Sequence, residues 1–315
     1  MTTSLVIGGG GFIGTHLVRY LCTRGSKVDV IDRAPSEAFR TISSPLVSCT
    51  EIDLHDDAEL TARVRKSSVI FHLAAEPSVE ICREKPLKSV QDNFLTSVKV
   101  MAAVAATSPD QKPRNLVFTS TSSVYGDVAA HLPISEETPT IPLSNYGKDK
   151  LRSEDVILKA AHAQPGFRCC VLRLFNVYGS GQKKNSPYSG VITRFLEAYL
   201  TEQSLHIHGS GEQIRDFVHV QDVVQAIHLA GQSSGFPTPL NVSTGTGVTI
   251  NGLAELFRRR KNLPVKRGGT RADDIFFSVG DCSKIRGALN GVARVKLQQG
   301  IKELITEAEK QRCEL

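Results

Sequence analysis

Short apolar runs alternate with stretches of helical spacing through the first half of the chain. Leu5-Val6-Ile7 is the first run, and Phe12, Ile13, Leu17, Val18 and Leu21 then recur at the three-to-four-residue spacing of one helix face. Further runs at Lys27–Ile31, Leu46–Ile52, Val69–Ala75, Asn115–Thr119 and Arg168–Leu174 predict strands. Between them the pattern predicts helices over Ala58–Val64, over a long segment that starts at Pro86 and continues through Asn93 across Val90–Ala106, and over Tyr146–Ala163 behind a Ser144 cap. Strands alternating with helices are the pattern of a parallel sheet covered on both faces. Past Phe175 the rhythm breaks. Residues 176–190, polar and rich in Gly, Ser and Pro, read as a loop; helices follow over Val191–Leu200, His219–Ala230, Asn251–Arg260 and Gln298–Glu307, with extended pieces at Leu205–His208, Gln213–Phe217 and Leu240–Val242.

Between the first strand and the first helix stand four consecutive glycines, Gly8 to Gly11, with Gly14 one turn into the helix. A strand, a glycine turn and a helix N-terminus make an anion site: backbone N–H groups point outward and the helix dipole favours negative charge. Glycines let the main chain approach a pyrophosphate and let the helix pack close to its strand. The spacing satisfies Gly-x-Gly-x-x-Gly from Gly9 and Gly-x-x-Gly-x-x-Gly from Gly8, and Asp32 at the end of the second strand stands where an acid would hold the ribose hydroxyls of NAD. Asp32, Asp53, Ala74, Thr121 and Asn176 all fall at or just past predicted strand ends, where ligands bind on such sheets. The expectation is an α/β fold: a Rossmann-type doubly wound parallel sheet in residues 1–175 binding NAD, and a smaller α/β C-terminal substrate domain in 176–315, part of 214–245 packing back on the first.

Composition changes this picture little. The 315 residues are 40% hydrophobic and 22% charged, with net charge +6, mildly basic and too weakly so to argue for nucleic acid. The run Arg258-Arg259-Arg260-Lys261 closes a predicted helix, where cations suit the dipole. Seven cysteines, an odd number without Cys-x-x-Cys, fit a reduced cytoplasmic protein and neither a disulfide framework nor a metal site. No apolar run approaches the ~20 residues of a membrane span, and the first strand leaves no room for a signal peptide.

The sharpest candidate chemistry is in Ser144-Asn145-Tyr146-Gly147-Lys148-Asp149-Lys150. Tyr146 and Lys150 share one helix face, one turn apart. A phenol with a pKa near 10 is only about 0.1% ionised at neutral pH; a nearby Lys cation and a positive nicotinamide ring favour its phenolate. Such a tyrosine would remove a proton from a sugar hydroxyl as hydride leaves the same carbon. The spacing alone is common; the glycine turn upstream and the hydroxyl run Thr119-Ser120-Thr121-Ser122-Ser123 make it specific.

With Gly8 to Gly14, Asp32, Asp53-Leu54, His72-Leu73-Ala74-Ala75, Asn93, Thr121 to Gly126, Tyr146, Lys150, Leu172 to Gly179, Gly209-Ser210-Gly211, Arg215 to Val220 and Arg271 to Asp274, the sequence resembles the extended short-chain dehydrogenase/reductase superfamily. Within it the chain is most similar to UDP-glucose 4-epimerase-like members of the NAD-dependent nucleotide-sugar epimerase/dehydratase branch. The resemblance implies that Gly8, Gly11, Phe12, Ile13, Gly14, Asp32, Asp53, Leu54, Leu73, Ala74, Ala75, Asn93, Tyr146 and Lys150 bind NAD. It assigns Tyr146 as the base, Thr121 as its hydroxyl partner and Lys150 as the catalytic cation. Ser122, Ser123, Asn176, Val191, His208, Arg215, Arg271, Asp274 and Ser278 fall on contacts to the UDP-sugar, Arg215 and Arg271 at the diphosphate. It also implies a homodimer through the Val90–Ala106 and Tyr146–Ala163 helices, and neither a membrane nor a nucleic-acid partner.

Departures narrow the reaction that the resemblance implies. The 4,6-dehydratases carry Asp-Glu after the catalytic Thr, and UDP-glucuronate decarboxylases a Glu at the second position; here Ser122 and Ser123 occupy both. UDP-glucuronate 4-epimerases share the Ser-Ser-Val-Tyr-Gly run but usually have Thr in place of Asn176 and an Arg shortly after Gly179, where this chain has Lys183-Lys184. Ser278 falls on the gate of the sugar pocket, where a small side chain leaves room for a 2-acetamido group. The expected reaction is inversion at C4 of a UDP-hexose or UDP-N-acetylhexosamine through a 4-keto sugar. Alternatives are a uronate 4-epimerase, a 4-keto reductase or oxidoreductase of the same fold, and a non-catalytic NAD-binding protein. On the Gly8/Gly11/Gly14 template, with the Gly9 match incidental, Gly11→Val should abolish NAD retention and Gly10→Ala should leave it nearly intact.

Overall fold

The apolar runs of the first half pair into one sheet. The computed structural model describes residues 3–313 except 53, 55–56, 109–112, 114, 129–131, 165, 183–189, 237, 271–274 and 290–294. Among these, the strands are β1 (Thr3–Ile7), β2 (Lys27–Asp32), β3 (Val47–Glu51), β4 (Val69–His72), β5 (Asn115–Thr121), β6 (Arg168–Leu174), β7 (Asn176–Tyr178), β8 (Leu205–His208), β9 (Ile214–His219), β10 (Leu240–Val242), β11 (Gly247–Thr249), β12 (Val265–Gly268) and β13 (Phe277–Ser278). Seven form a sheet in the order β10-β6-β5-β4-β1-β2-β3, each neighbouring pair parallel.

Strand alternation sends successive side chains to opposite faces, and each face is covered by helices. Leu5, Ile7, Ile70, Leu116 and Phe118 meet Leu60, Val64, Val100 and Ile157 of the helices Asp57–Lys66, Thr96–Ala105 and Asn145–His162. Val6, Val28, Val30, Phe71, Val117 and Leu172 meet Leu17, Val18, Val223 and Ile227 of the helices Phe12–Thr23 and Val220–Gln232. Each such fully buried aliphatic side chain contributes about 1.5–3 kcal/mol over its exposed state. The sheet therefore holds its strand ends, and whatever they carry, in fixed register. The helix Val220–Gln232 and β10 lie in this layer although they come late in the chain.

The later segments build a second, smaller core. Phe195, Leu196, Leu253, Phe257, Leu304 and Ile305 join the helices Val191–Leu200, Ile250–Arg258 and Leu297–Cys313. Beside it β9 pairs with β7 and β13 in parallel and with β11 antiparallel, while β8 and β12 form a separate parallel pair. The polar segment after Phe175 is thus not all loop: Asn176–Tyr178 is a strand because Phe217, Val218 and His219 of β9 lie opposite it.

The long helix expected through Asn93 is also not continuous. It runs as Pro86–Ser89, then a wider π-helical segment Val90–Leu95, then Thr96–Ala105. A π segment carries an extra residue per turn and re-aims a side chain. Here it aims Asn93 inward, at 0% exposure. Its Oδ1 accepts from the Glu76 N–H at 2.9 Å, its Nδ2 faces the Cys82 Sγ and the Ser89 hydroxyl, both at 3.4 Å, and its carbonyl accepts from the Ser153 hydroxyl at 2.8 Å.

Candidate active site

In the strand order the connections leave β1 in one direction toward β2 and β3, and in the other toward β4, β5 and β6. This reversal opens a crevice beyond the C-terminal ends of β1 and β4. The glycine turn forms one wall and the Leu73–Ala75 segment the other. Gly8 has φ +82°, and a Cβ there would lie 2.6 Å from the Ala74 nitrogen; one on Gly14 would lie 2.3 Å from the Gly8 carbonyl oxygen. These two glycines serve close packing of turn, strand and helix. Gly11 differs: the nearest atom to its added Cβ is the Gly8 oxygen at 3.4 Å, so its bare side faces open space. Phe12 and Ile13 follow as the first residues of a 12-residue helix whose N-terminus points into the crevice.

Asp32 closes the far side. Its carboxylate accepts from the Gly10 and Ala34 N–H groups, each at 2.9 Å, and is thereby fixed against the turn. A cleft of about 280 Å³ runs from Gly8 and Gly11 past Asp32 to Leu54, with Leu73, Ala74 and Ala75 opposite. Asp53 lies outside the described residues. Among the lining residues that sequence reasoning missed, Arg33, Asp92 and Thr96 carry polar side chains. Arg33 donates to Asp92 at 2.9 and 3.2 Å, and Lys88 also donates to that carboxylate. Burial raises the Asp92 carboxyl, but Arg33 and Lys88 outweigh it and hold the group below its usual range. The signal available was the Lys88–Asp92 spacing of one helical turn.

Asn93 is buried, its amide engaged by Glu76, Cys82 and Ser89 beside the Ala75 wall of the cleft. One expectation is corrected here. Gly10 has no room for a methyl: a Cβ would lie 2.6 Å from the Pro35 Cα and 3.0 Å from the Asp32 Cγ. Gly10→Ala is therefore not a neutral change of this turn.

Beyond the cleft, β5 ends at Thr121 and the helix Asn145–His162 begins beside it, capped by the Ser144 hydroxyl accepting from the Gly147 N–H at 3.1 Å. Gly147 lets this helix approach, since a Cβ would meet the Ser123 carbonyl oxygen at 2.7 Å. Thr121 accepts from the Ser123 N–H at 3.2 Å and starts a short 3-10 turn, Ser122–Val124. Tyr146 keeps part of its surface open. Its crowded surroundings desolvate the phenol and push it well above its usual range, a hydrogen bond with the Thr121 side chain pulls it back, and Cys82 and Glu76 push it up again. The phenolate expected beside Lys150 is thus disfavoured in the protein alone. Lys150 is 1% exposed, its Nζ 4.1 Å from the Phe118 ring centroid. Burial brings its ammonium down to about 7, against the Glu154 carboxylate, which raises it. Burial first, and the Lys150 charge second, lower His72 to about 3, so this imidazole is neutral.

The remaining candidates gather around β9. Asn176 opens β7 and donates to the Asp216 carbonyl at 3.0 Å. Arg215 and Ser278 are register partners on β9 and β13, and the Arg215 guanidinium reaches the Ile214 carbonyl at 3.0 Å. His208 ends β8, its Nε2 3.4 Å from Arg194 on the helix that Val191 begins. Arg271 and Asp274 lie outside the described residues.

Comparison with known proteins agrees with this architecture. Residues 4–243 match the model of the NAD dependent epimerase/dehydratase family. The chain belongs to that family. It is an enzyme of that family's kind, and the family's cofactor is NAD. A UDP-N-acetyl-α-D-glucosaminuronate decarboxylase of Bacillus cytotoxicus is 32% identical over 80% of this chain and 78% of its own. The fold matches a UDP-glucose 4-epimerase of Thermotoga maritima, solved with UDP-glucose, at TM-score 0.91 and 29% identity over 99% and 100% of the two chains. A UDP-N-acetylglucosamine 4-epimerase of Methanobrevibacter ruminantium, solved with UDP-N-acetylmuramic acid, matches at 0.90 and 31% over 98% and 99%. The cleft fits NAD on its own geometry. The unfilled side of Gly11 at a helix N-terminus leaves the backbone N–H groups open to a pyrophosphate, and the fixed Asp32 carboxylate lines the same cleft as an acceptor for the hydroxyls of a ribose.

Proposed function

We propose that the protein is an NAD-dependent 4-epimerase of a UDP-hexose or UDP-N-acetylhexosamine. The observation that carries this reading is the placement of Tyr146 and Lys150 one turn apart at the start of the helix Asn145–His162, which packs against the end of β5 where Thr121 stands, Gly147 closing on the Ser123 carbonyl. In this reading the glycine turn, Asp32, Leu54 and Leu73 to Ala75 hold the dinucleotide, with Asp53 alongside, and Lys150 reaches its nicotinamide ribose. When bound, NAD accepts a hydride from the sugar and returns it. Tyr146 removes the proton of the 4-hydroxyl, Thr121 holds that hydroxyl, and the Lys150 cation opposes the burial that raises the phenol. On the return, at the opposite face of C4, the same tyrosine gives its proton back to the oxygen of the 4-keto sugar, so net redox is zero. Asn176, Val191, His208, Arg215, Arg271 and Asp274 anchor the UDP group, leaving the sugar few fixed contacts beyond Ser122, Ser123 and Ser278, and therefore free to turn.

Support for a homodimer comes from Leu95, 40% exposed on the Val90–Ala106 segment expected to pair, and from Leu87, 80% exposed just ahead of that segment. The unbridged cysteines at 22, 49, 82, 169, 170 and 282 suit a cytoplasmic setting, and the sugar chemistry suits polysaccharide precursor synthesis. The Bacillus relative favours a second reading, oxidative decarboxylation of a UDP-uronate, which the serines at 122 and 123 oppose. Incubation with a panel of UDP-sugars and NMR of the products separates the two. We expect a C4 stereoisomer of unchanged mass, and turnover lower by roughly 1000-fold in Tyr146→Phe. Loss of carbon dioxide, or full turnover in Tyr146→Phe, would overturn the proposal.

A further inference from the structure

Further along the helix face that carries Tyr146 and Lys150 lies a second charged group that neither the glycine turn nor the sugar chemistry explains. Glu154, one turn after Lys150, is 2% exposed and Arg173 on β6 is 5% exposed. Arg173 donates to the Glu154 carboxylate from Nε at 3.1 and 3.2 Å and from Nη2 at 2.7 Å, and the Ser120 hydroxyl of β5 donates to the same carboxylate. The guanidinium also donates to the Tyr125 hydroxyl at 3.0 Å, and that hydroxyl donates to Asn241 of β10 at 2.7 Å. The carboxylate is thus held by two strands and cannot rotate into water.

A buried ammonium without an opposite charge in reach gives up its proton. Among the described residues, the groups that face Lys150 supply one such charge, that of Glu154. His72 of β4 is neutral and Phe118 of β5 offers a ring face. Across the helix pair, Asn93 and Ser97 are uncharged, the former bonded to Ser153 and the latter to His72. On its own helix, Tyr146 is a neutral phenol, and Asp149 is engaged by Ser89 and Arg152. Glu154, buried like Lys150 and one turn further along the same face of the helix, is the carboxylate that acts on it.

We propose that Glu154, fixed by Arg173 and Ser120, is a positioning residue that keeps Lys150 protonated beside Tyr146, which rests on the proton-transfer reading of that pair given above. Arg173 and Ser120 then matter through the place they give the carboxylate. A purely structural pair would brace the helix against the sheet and leave the lysine's titration alone.

The test is a direct titration of Lys150 by 13C NMR of side-chain-labelled lysine in the whole protein without substrate, its resonance assigned by its loss in Lys150→Met. The expected midpoint is near neutrality in the parent protein, and lower by about one pH unit or more in Glu154→Gln. Because that change leaves Arg173 buried without its partner, Glu154→Gln combined with Arg173→Met is read in the same way and is expected to lower the midpoint too. Glu154→Asp, which keeps the charge, should lie between parent and Gln. The alkaline limb of kcat/KM should move down with the midpoint. An unmoved midpoint in a folded variant, with only Tm lowered, would overturn the proposal. The titration needs no turnover, so a protein inert toward every UDP-sugar would defeat the epimerase reading and leave this result standing.

Discussion

The two halves of the molecule fix their functional groups by different means. Around the cofactor cleft the backbone does the fixing: parallel strands end in register, Gly8 and Gly14 pack against main-chain atoms, and Asp32 is held by two N–H groups. Around β9 the strands are two to six residues long and side chains carry more of the architecture. Asp216 is the clearest case. Fully buried, it accepts from the Thr244 and Gly245 N–H groups and the Thr244 hydroxyl, so one carboxylate ties β9 to the turn before β11. Burial raises that carboxyl and these donors only partly bring it back. A cleft made of backbone tolerates little change in shape. A pocket made of side chains can alter its preference without disturbing the sheet. The cofactor should therefore be sensitive to additions at the turn, and sugar choice to single side chains.

The largest expected effect probes the cofactor side. Gly11→Val should yield folded protein that retains no NAD through purification. The valine branches would extend into the open side of the turn, since nothing of the protein lies closer than 3.4 Å to the Cβ. Nucleotide released on denaturation and measured by chromatography checks this, with far-ultraviolet circular dichroism to show the fold. A variant carrying NAD at the parent's stoichiometry would mean that the pyrophosphate does not lie over Gly11.

This contrast also explains what could be read from the sequence. Strands buried on both faces are apolar runs, so β1, β2, β4, β5 and β6 stand out, and Asp32, Ala74, Thr121 and Asn176 at or just past the ends of four of them mark the crevice. Two- and three-residue strands such as β13 and β11 carry no period, and they exist only because β9 lies beside them. The π segment at Val90–Leu95 is invisible because its extra residue leaves the surrounding apolar spacing nearly helical; only the contacts of Asn93 reveal it. Charged residues in a helix read as solvent-facing, so Glu154 passed unnoticed although it is among the most buried groups of its helix. The hydroxyl run and the Tyr146–Lys150 spacing were legible; the environment that raises the tyrosine was not, because it comes from residues remote in sequence, Glu76 and Cys82 among them.

On the substrate side the expected effect is smaller and selective. Ser278 is 6% exposed on β13, opposite Arg215. Ser278→Tyr should lower activity on a UDP-N-acetylhexosamine relative to the plain UDP-hexose by roughly tenfold or more, because added bulk discriminates by occupying the space of the acetamido group. Tm should change little if the ring extends into the sugar pocket. Competition between the two substrates in one reaction gives the ratio directly. An unchanged ratio would remove Ser278 from the gate and return the choice of sugar to Ser122, Ser123 and Val191.

The smallest expected effect is on stability, and it decides how rigid the backbone cleft is. The glycine spacing implies that Gly10→Ala leaves NAD retention nearly intact, whereas the fold sets a methyl there against the Pro35 Cα at 2.6 Å and the Asp32 Cγ at 3.0 Å. A main-chain carbon cannot swing aside as a side-chain terminus can. Either the turn shifts, or the segment that follows Asp32 does. A shift of the turn stretches the Gly10 N–H bond to Asp32; a shift of the segment stretches the Ser36 N–H bond to the Gly10 carbonyl, both now 2.9 Å. Overpacking of this kind costs about 1–3 kcal/mol, read as a lower midpoint in thermal or urea unfolding. Gly11→Ala, one residue on, should leave that midpoint nearly where it was, since its methyl meets no atom closer than 3.4 Å. If the two alanines proved equally stable and Gly10→Ala held NAD as the parent does, the turn would be adapting to the added methyl. The distinction between a cleft fixed by backbone and a pocket fixed by side chains would then fail at its strongest point.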